Sequence, residues 1–187
     1  MLFRSMMRAA RLATTLDFKI EEKTAEAIQK NAELLKEISQ ERIRDEFVKI
    51  VMADRAVEGI ELLRELELLP YILPELQEGY GVGQNKHHIY TVWEHNLYAL
   101  KYAVEQKWDV NVRLASLLHD VAKPRVKKGE GKDSTFYNHE VVGAKMAKTI
   151  LERMKFSKKD TEHIAKLVRF HLFYYNVDEV TESSVRR

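Results

Sequence analysis

Apolar residues recur at i, i+3 and i+4 along most of this chain, the spacing that lines one face of a helix. The pattern predicts helices at about 3–16, 22–37, 40–53, 55–67, 90–107, 111–121, 139–154 and 158–172. Ser39 before Gln-Glu-Arg and Ser157 before Lys-Lys-Asp160 stand where N-caps are expected, the second with a carboxylate at the capping-box position. Pro70, Pro74 and the stretch Gly79-Tyr-Gly-Val-Gly83 interrupt the periodicity. The break divides the chain into a helical appendage, residues 1–78, and a second domain, residues 79–187, that carries every histidine. Residues 124–138, rich in Lys and Gly, are expected to form a charged loop placed to cover a site.

Composition narrows this to an all-α protein, since seven Gly and three Pro in 187 residues are too few for a turn-rich β architecture. A chain of this size buries roughly 70% of its unfolded surface, enough for a real core. With no cysteine there are no disulfides, thiolate metal sites or cysteine nucleophiles, and a reducing cytoplasm is the expected setting. A formal net charge of +2 does not by itself imply a polyanion partner, so any basic surface is local. Two segments qualify: Arg4, Arg8 and Arg11 at the start, and Lys123, Arg125, Lys127, Lys128 and Lys132 after residue 120. Each reads equally well as a solvated face. No run approaches the roughly 20 apolar residues of a membrane span, so no membrane partner is expected. The Arg-rich, acid-free opening from Met1 to Leu16 also has the composition of an organellar transit peptide.

The chemistry concentrates on His119 and Asp120, set in the apolar run Leu114-Ala-Ser-Leu-Leu-His-Asp-Val-Ala-Lys-Pro124. A carboxylate in such a setting is costly unless partnered. Candidate partners are His95, His139 and His171, each on a stretch of helical periodicity. His95 and His119 would each give a ring nitrogen and Asp120 oxygens able to bridge two cations, with His139 and His171 holding a second cation on its other side. Nitrogen and carboxylate ligands without sulfur suit a divalent transition metal such as Mn, Fe, Co, Ni or Zn, in one or two ions, rather than Ca. Such ions generate hydroxide at neutral pH and clamp a phosphate oxygen, which points to phosphoester hydrolysis. A single helical histidine is more often a hydrogen-bonded structural residue; the adjacent His-Asp with three further histidines favours the site. His87 and His88 lie in the loop before His95, and His163 lies on the face of His171 as a spare ligand. Lys123 either meets a phosphate as a point charge or interacts with the dipole of a helix end.

The order His…His-Asp…His…His resembles the HD-domain family of metal-dependent phosphohydrolases. Further stretches narrow the resemblance. Met6-Met-Arg-Ala-Ala-Arg-Leu-Ala13 and Leu16-Asp-Phe-Lys-Ile20 resemble the neck motif of bacterial tRNA nucleotidyltransferases, the CCA-adding and poly(A)-polymerase-like enzymes. Ser39-Gln-Glu-Arg-Ile-Arg-Asp-Glu-Phe47, Leu73-Pro-Glu-Leu76, Val92-Trp-Glu-His95, Leu117-Leu-His-Asp-Val-Ala-Lys-Pro124 and Phe136-Tyr-Asn-His-Glu140 are similar to the neck, body and HD region that follow. The resemblance implies an HD-domain helical bundle preceded by a helical neck and body, and it accounts for the opening helix without a transit peptide. It also implies activity on nucleotide phosphoesters near tRNA or RNA 3′ ends, as a 2′,3′-cyclic phosphodiesterase, 2′-nucleotidase or phosphatase. Asp120 and Lys123 would serve that catalysis, and Arg8, Arg11, Lys127 and Lys128 would contact RNA.

The departures also carry information. Ser5 stands where the family usually has arginine and Leu12 where it has phenylalanine. The Asp-x-Asp pair of the family's catalytic head and its Glu-Asp template motif are absent, so nucleotide addition is not expected from this chain alone. The family's HD pattern ends with an aspartate beyond a segment like Ser184-Val-Arg-Arg187, so the first metal is expected to lack its last ligand, with Asp178 as a candidate stand-in. The rival reading is a non-catalytic tRNA-binding body with a vestigial HD site. A stand-alone nucleotide phosphatase ranks third, because it leaves the neck motif unexplained.

Overall fold

The computed structural model describes residues 2–85 and 89–172. Its α-helices run, in chain order, α1 (Leu2–Leu16), α2 (Glu22–Lys30), α3 (Gln40–Val51), α4 (Ala56–Glu65), α5 (Leu69–Ile72), α6 (Pro74–Gln77), α7 (Val92–Glu105), α8 (Val110–Leu118), α9 (Lys123–Val126), α10 (His139–Arg153) and α11 (Lys158–Arg169). The described residues contain no strand beyond one isolated antiparallel bridge between Lys128 and Thr135. The fold is therefore all-α, as the composition indicates. Among the described residues, no helix is long and apolar enough to cross a membrane.

The first half is a small bundle in which α1 packs on α3 and α4. Met6, Met7, Ala10, Ala13 and Thr14 face inward from α1, the i, i+4, i+7 stripe that the sequence displays. Gly59 permits the closest approach: a Cβ there would lie 2.5 Å from Ile50 Cγ2 and 2.7 Å from Thr14 Cγ2. The second half packs α7 on α8, α8 on α11 and α11 on α10.

One cluster of buried residues runs through both halves, from Met6 to Val168. Two polar ties reinforce it. Arg113 of α8 is only 4% exposed, and its guanidinium donates to the carbonyls of Val51 (3.2 Å) and Ala53 (3.3 Å), which the end of α3 leaves without helical partners. Trp93 of α7 donates from Nε1 to Glu61 of α4 at 2.7 Å. Near α6, Arg153 grips Glu75 through two bonds of 2.5 and 2.8 Å.

Several element boundaries differ from the periodicity. The predicted helix 22–37 breaks at Asn31, whose amide donates to the Ala27 carbonyl and ends α2; a 3-10 turn, Ala32–Glu37, follows. The prolines do more than interrupt: Pro70, Pro74 and Pro124 all occupy the first turns of short helices, where a missing N–H costs nothing. Ser39 has the extended backbone of an N-cap, yet its hydroxyl makes no capping bond, whereas Ser157 accepts from the Asp160 N–H as expected. The 124–138 segment is not a free loop. After α9, Lys128 and Thr135 exchange main-chain bonds of 3.0 and 2.9 Å around a turn in which Gly129 and Gly131 take the positive φ values of 75° and 58°.

Candidate metal centre

Asp120 is 2% exposed and lies at the bottom of a pocket of about 370 Å³. It does not sit on a helix. The predicted helix 111–121 stops at Leu118, and His119 and Asp120 occupy the turn that joins α8 to α9. His95 projects from the first turn of α7, fixed by a capping box in which Thr91 and Glu94 exchange side-chain to main-chain bonds of 3.2 and 2.8 Å. His139 opens α10, and His171 follows the end of α11 rather than lying within it.

All four imidazoles reach the same carboxylate. His95 Nε2 and His119 Nε2 are each 3.3 Å from Asp120 Oδ2, while His139 Nε2 and His171 Nε2 are 3.3 and 3.6 Å from Oδ1. The residues thus form two groups of three, His95-His119-Asp120 and Asp120-His139-His171, whose ligand atoms lie within 4.8 Å of one another.

Ring orientation is set locally. Nδ1 of His119, His139 and His171 lies 2.7, 2.6 and 2.7 Å from the carbonyl three residues earlier, on Ser116, Phe136 and Val168. A carbonyl can only accept, so each Nδ1 carries a proton, and in the neutral ring the Nε2 lone pair points at Asp120. For His119 and His171 the acceptor is an orphan carbonyl of a helix's last turn. Asp120 Oδ1, His139 Nε2 and His171 Nε2 are buried and have no hydrogen-bond partner. Acceptors facing one another in this way call for a cation between them, and the donor set of nitrogen and carboxylate oxygen fits a divalent transition metal.

Burial alone would raise the Asp120 carboxyl, but hydrogen bonds from the rings of His119, His139, His171 and His95 when these are protonated, as without a metal, outweigh it and hold the group far below the usual carboxylate range. Burial likewise opposes charge on His139, yet Asp120 and the Phe136 carbonyl raise its pKa above the ordinary 6.5. Among the described residues Lys123 is the nearest cation, with Nζ 2.6 Å from Asp120 Oδ2 and 2.6 Å from Gln84 Oε1. It stands in the single turn of α9, and its charge faces Asp120. No sequence signal points to Gln84 as its partner.

The other expected residues are placed as follows. His163 is exposed on α11, outside the cluster. Arg11 is paired with Glu46 at 2.6 Å, and Lys127 donates one hydrogen bond to the Gly83 carbonyl at 2.8 Å. Arg8 and Lys128 are exposed. His87, His88, Asp178 and Ser184-Val-Arg-Arg187 lie outside the described residues.

Comparison with known proteins follows the same division. Residues 92–185 match the HD domain, and residues 17–79 match the family described as "Probable RNA and SrmB-binding site of polymerase A". The chain is 36% identical over 181 residues to the A-adding tRNA nucleotidyltransferase of Deinococcus radiodurans, covering 92% of this chain and 42% of that protein. It is 34% identical over 176 residues to the CC-adding tRNA nucleotidyltransferase of Thermus thermophilus, covering 89% and 40%. The multifunctional CCA protein of Neisseria meningitidis is 26% identical over 184 residues, covering 96% and 44%. The chain therefore spans about two fifths of the length of these relatives.

Proposed function

Starting from a chain that belongs to the HD-domain family, we propose a metal-dependent phosphohydrolase module of a tRNA nucleotidyltransferase-family protein, acting in the cytoplasm on phosphoesters near tRNA or RNA 3′ ends. Residues 1–78 form its body and residues 79–187 its HD domain. The observation that carries the proposal is the ring of inward-facing acceptors: Nε2 atoms aimed by their own backbone carbonyls at an ionised carboxylate, with Oδ1, His139 Nε2 and His171 Nε2 unpartnered. His95, His119, Asp120, His139 and His171 would hold one or two divalent ions. Those ions supply positive charge for a phosphoryl centre and acidify water.

The chain's own contribution is positional. Asp120 stays ionised and shared between the two groups of histidines, and Lys123 fixes its orientation through Oδ2. Hydrolysis of a 2′,3′-cyclic ester forms one bond from water oxygen to phosphorus and breaks one ring P–O bond; the departing oxygen takes a proton and a monoester remains. The match of residues 17–79 to an RNA-binding family supports RNA as the partner, with exposed Arg8 and Lys128 able to meet its phosphates. The head-type carboxylate pair is absent from the sequence, so this chain is not expected to add nucleotides.

The test combines elemental analysis of protein purified without a histidine tag with hydrolysis of 2′,3′-cyclic AMP under Mn, Co, Ni or Zn. Activity should require metal and vanish in Asp120→Ala. Undiminished activity in that variant would leave the non-catalytic RNA-binding body as the better account.

A further inference from the structure

The turn that aims His139 also pushes its neighbour outward. Both the ring Nδ1 and the main-chain N–H of His139 meet the Phe136 carbonyl, at 2.6 and 3.3 Å. Asn138 takes a left-handed φ of 61°, a conformation Asn tolerates better than most residues. Phe136 is turned inward, buried, with the Lys123 ammonium 5.5 Å from its ring centroid. Tyr137, between them, is 76% exposed and still lines the pocket.

A second apolar group lines the pocket. Leu172 directly follows His171, is 58% exposed, and lines the same pocket. Tyr137 and Leu172 flank in sequence His139 and His171, whose rings are 5.3 Å apart and meet Asp120 Oδ1, and both line the pocket above that carboxylate. Polar groups, Lys123 and Asn85 among them, complete the lining. The site is therefore two-sided: acceptors for cations at its floor, and a flat aromatic surface at one rim. A pocket of about 370 Å³ falls within the roughly 300–1,000 Å³ of small-molecule sites.

The geometry points to Tyr137 as a nucleobase platform. The base of a terminal nucleotide stacks on its ring, Leu172 adds apolar cover, and the phosphoester lies over Asp120. This rests on the phosphohydrolase reading of the same site and adds to it a residue that would discriminate nucleotides from sugar phosphates. Because every base has a π-face, such a platform selects nucleotides over other phosphoesters without selecting among bases. The hydroxyl of Tyr137 is not needed for stacking; the ring is.

The experiment compares adenosine 2′,3′-cyclic phosphate with methyl riboside 2′,3′-cyclic phosphate, which lacks the base, using the Mn-loaded chain. The expected wild-type ratio of kcat/KM is about 10-fold in favour of the nucleoside ester, within the range for one base stacked on one aromatic ring. Tyr137→Phe should keep that ratio, whereas Tyr137→Ala and Tyr137→Leu should bring it close to one, mainly through KM. Asp120-dependent hydrolysis with a ratio that survives Tyr137→Ala would overturn the platform and leave the phosphohydrolase reading standing. If neither ester is hydrolysed, that reading falls, and the platform is judged by calorimetric binding of adenosine 2′-monophosphate. Binding roughly tenfold weaker in Tyr137→Ala than in Tyr137→Phe upholds it, and equal binding overturns it.

Discussion

Replacing Asp120 by Asn keeps the shape of the residue at the centre of the site and removes its charge, so two separable costs can be read from one variant. The first is independent of metal. Lys123 is buried with its ammonium 2.6 Å from Asp120 Oδ2, and losing one partner of a buried ion pair costs about 3–5 kcal/mol. Gln84 still accepts from Nζ at 2.6 Å, which places the expected loss near the lower end, about 3 kcal/mol. The second cost appears only with metal. A cation at 100 times its Kd stabilises the native state by about 2.7 kcal/mol, and a variant that binds it weakly forgoes that gain. Urea denaturation at pH 7 should therefore show Asp120→Asn about 3 kcal/mol below wild type in EDTA and about 6 kcal/mol below in saturating Mn or Zn. The double variant Asp120→Asn with Lys123→Met should recover part of the EDTA loss, because the orphaned charge leaves with its partner. Equal stability in EDTA would refute the ion-pair argument. A gap that does not widen with metal would refute Asp120 as a shared ligand.

Three further outcomes test the frame around the site. Burial raises the Glu75 carboxyl but Arg153 more than compensates, so its folded pKa lies below the ordinary 4.5; the pair's stabilisation is present above that value and lost as pH falls through the folded one, and Glu75→Gln should flatten acid unfolding below about pH 4.5, followed by circular dichroism. Gly59→Ala gains about 1 kcal/mol of helix propensity but meets Ile50 and Thr14 closer than 3.0 Å, so a net loss of roughly 1–2 kcal/mol is expected in thermal melts. Thr91→Ala removes the capping box at the turn that carries His95 and should cost about 1 kcal/mol, together with weaker metal retention measured by elemental analysis.

Helical periodicity locates α1, α3, α10 and α11 closely because each buries a continuous stripe. The histidines and Asp120 are legible for a different reason: a carboxylate in an apolar run is too costly to bury without partners, and the histidines are the residues able to supply them. The turn holding His119 and Asp120 is hidden because the apolar pattern continues through Val121 and Ala122, which are buried without being in α8. The partners of Arg11, Lys123 and Lys127 escape a reading of the sequence for one reason: a long cationic side chain finds its partner through tertiary structure. Glu46 is 35 residues from Arg11, Gln84 is 39 from Lys123 and Gly83 is 44 from Lys127, and no local pattern encodes such distances.

The aim of the His119, His139 and His171 rings comes from main-chain oxygens, and this shapes how the site can change over evolutionary time. Where neighbouring side chains orient metal ligands, drift in those neighbours detunes the metal. Here the orienting atoms are common to all twenty amino acids, so Ser116, Phe136 and Val168 can vary in chemistry while their carbonyls stay in place. The exposed residues Tyr137 and Leu172 can then vary with little consequence for the rings beneath them, and the histidine–aspartate cluster would be lost chiefly through its own five residues.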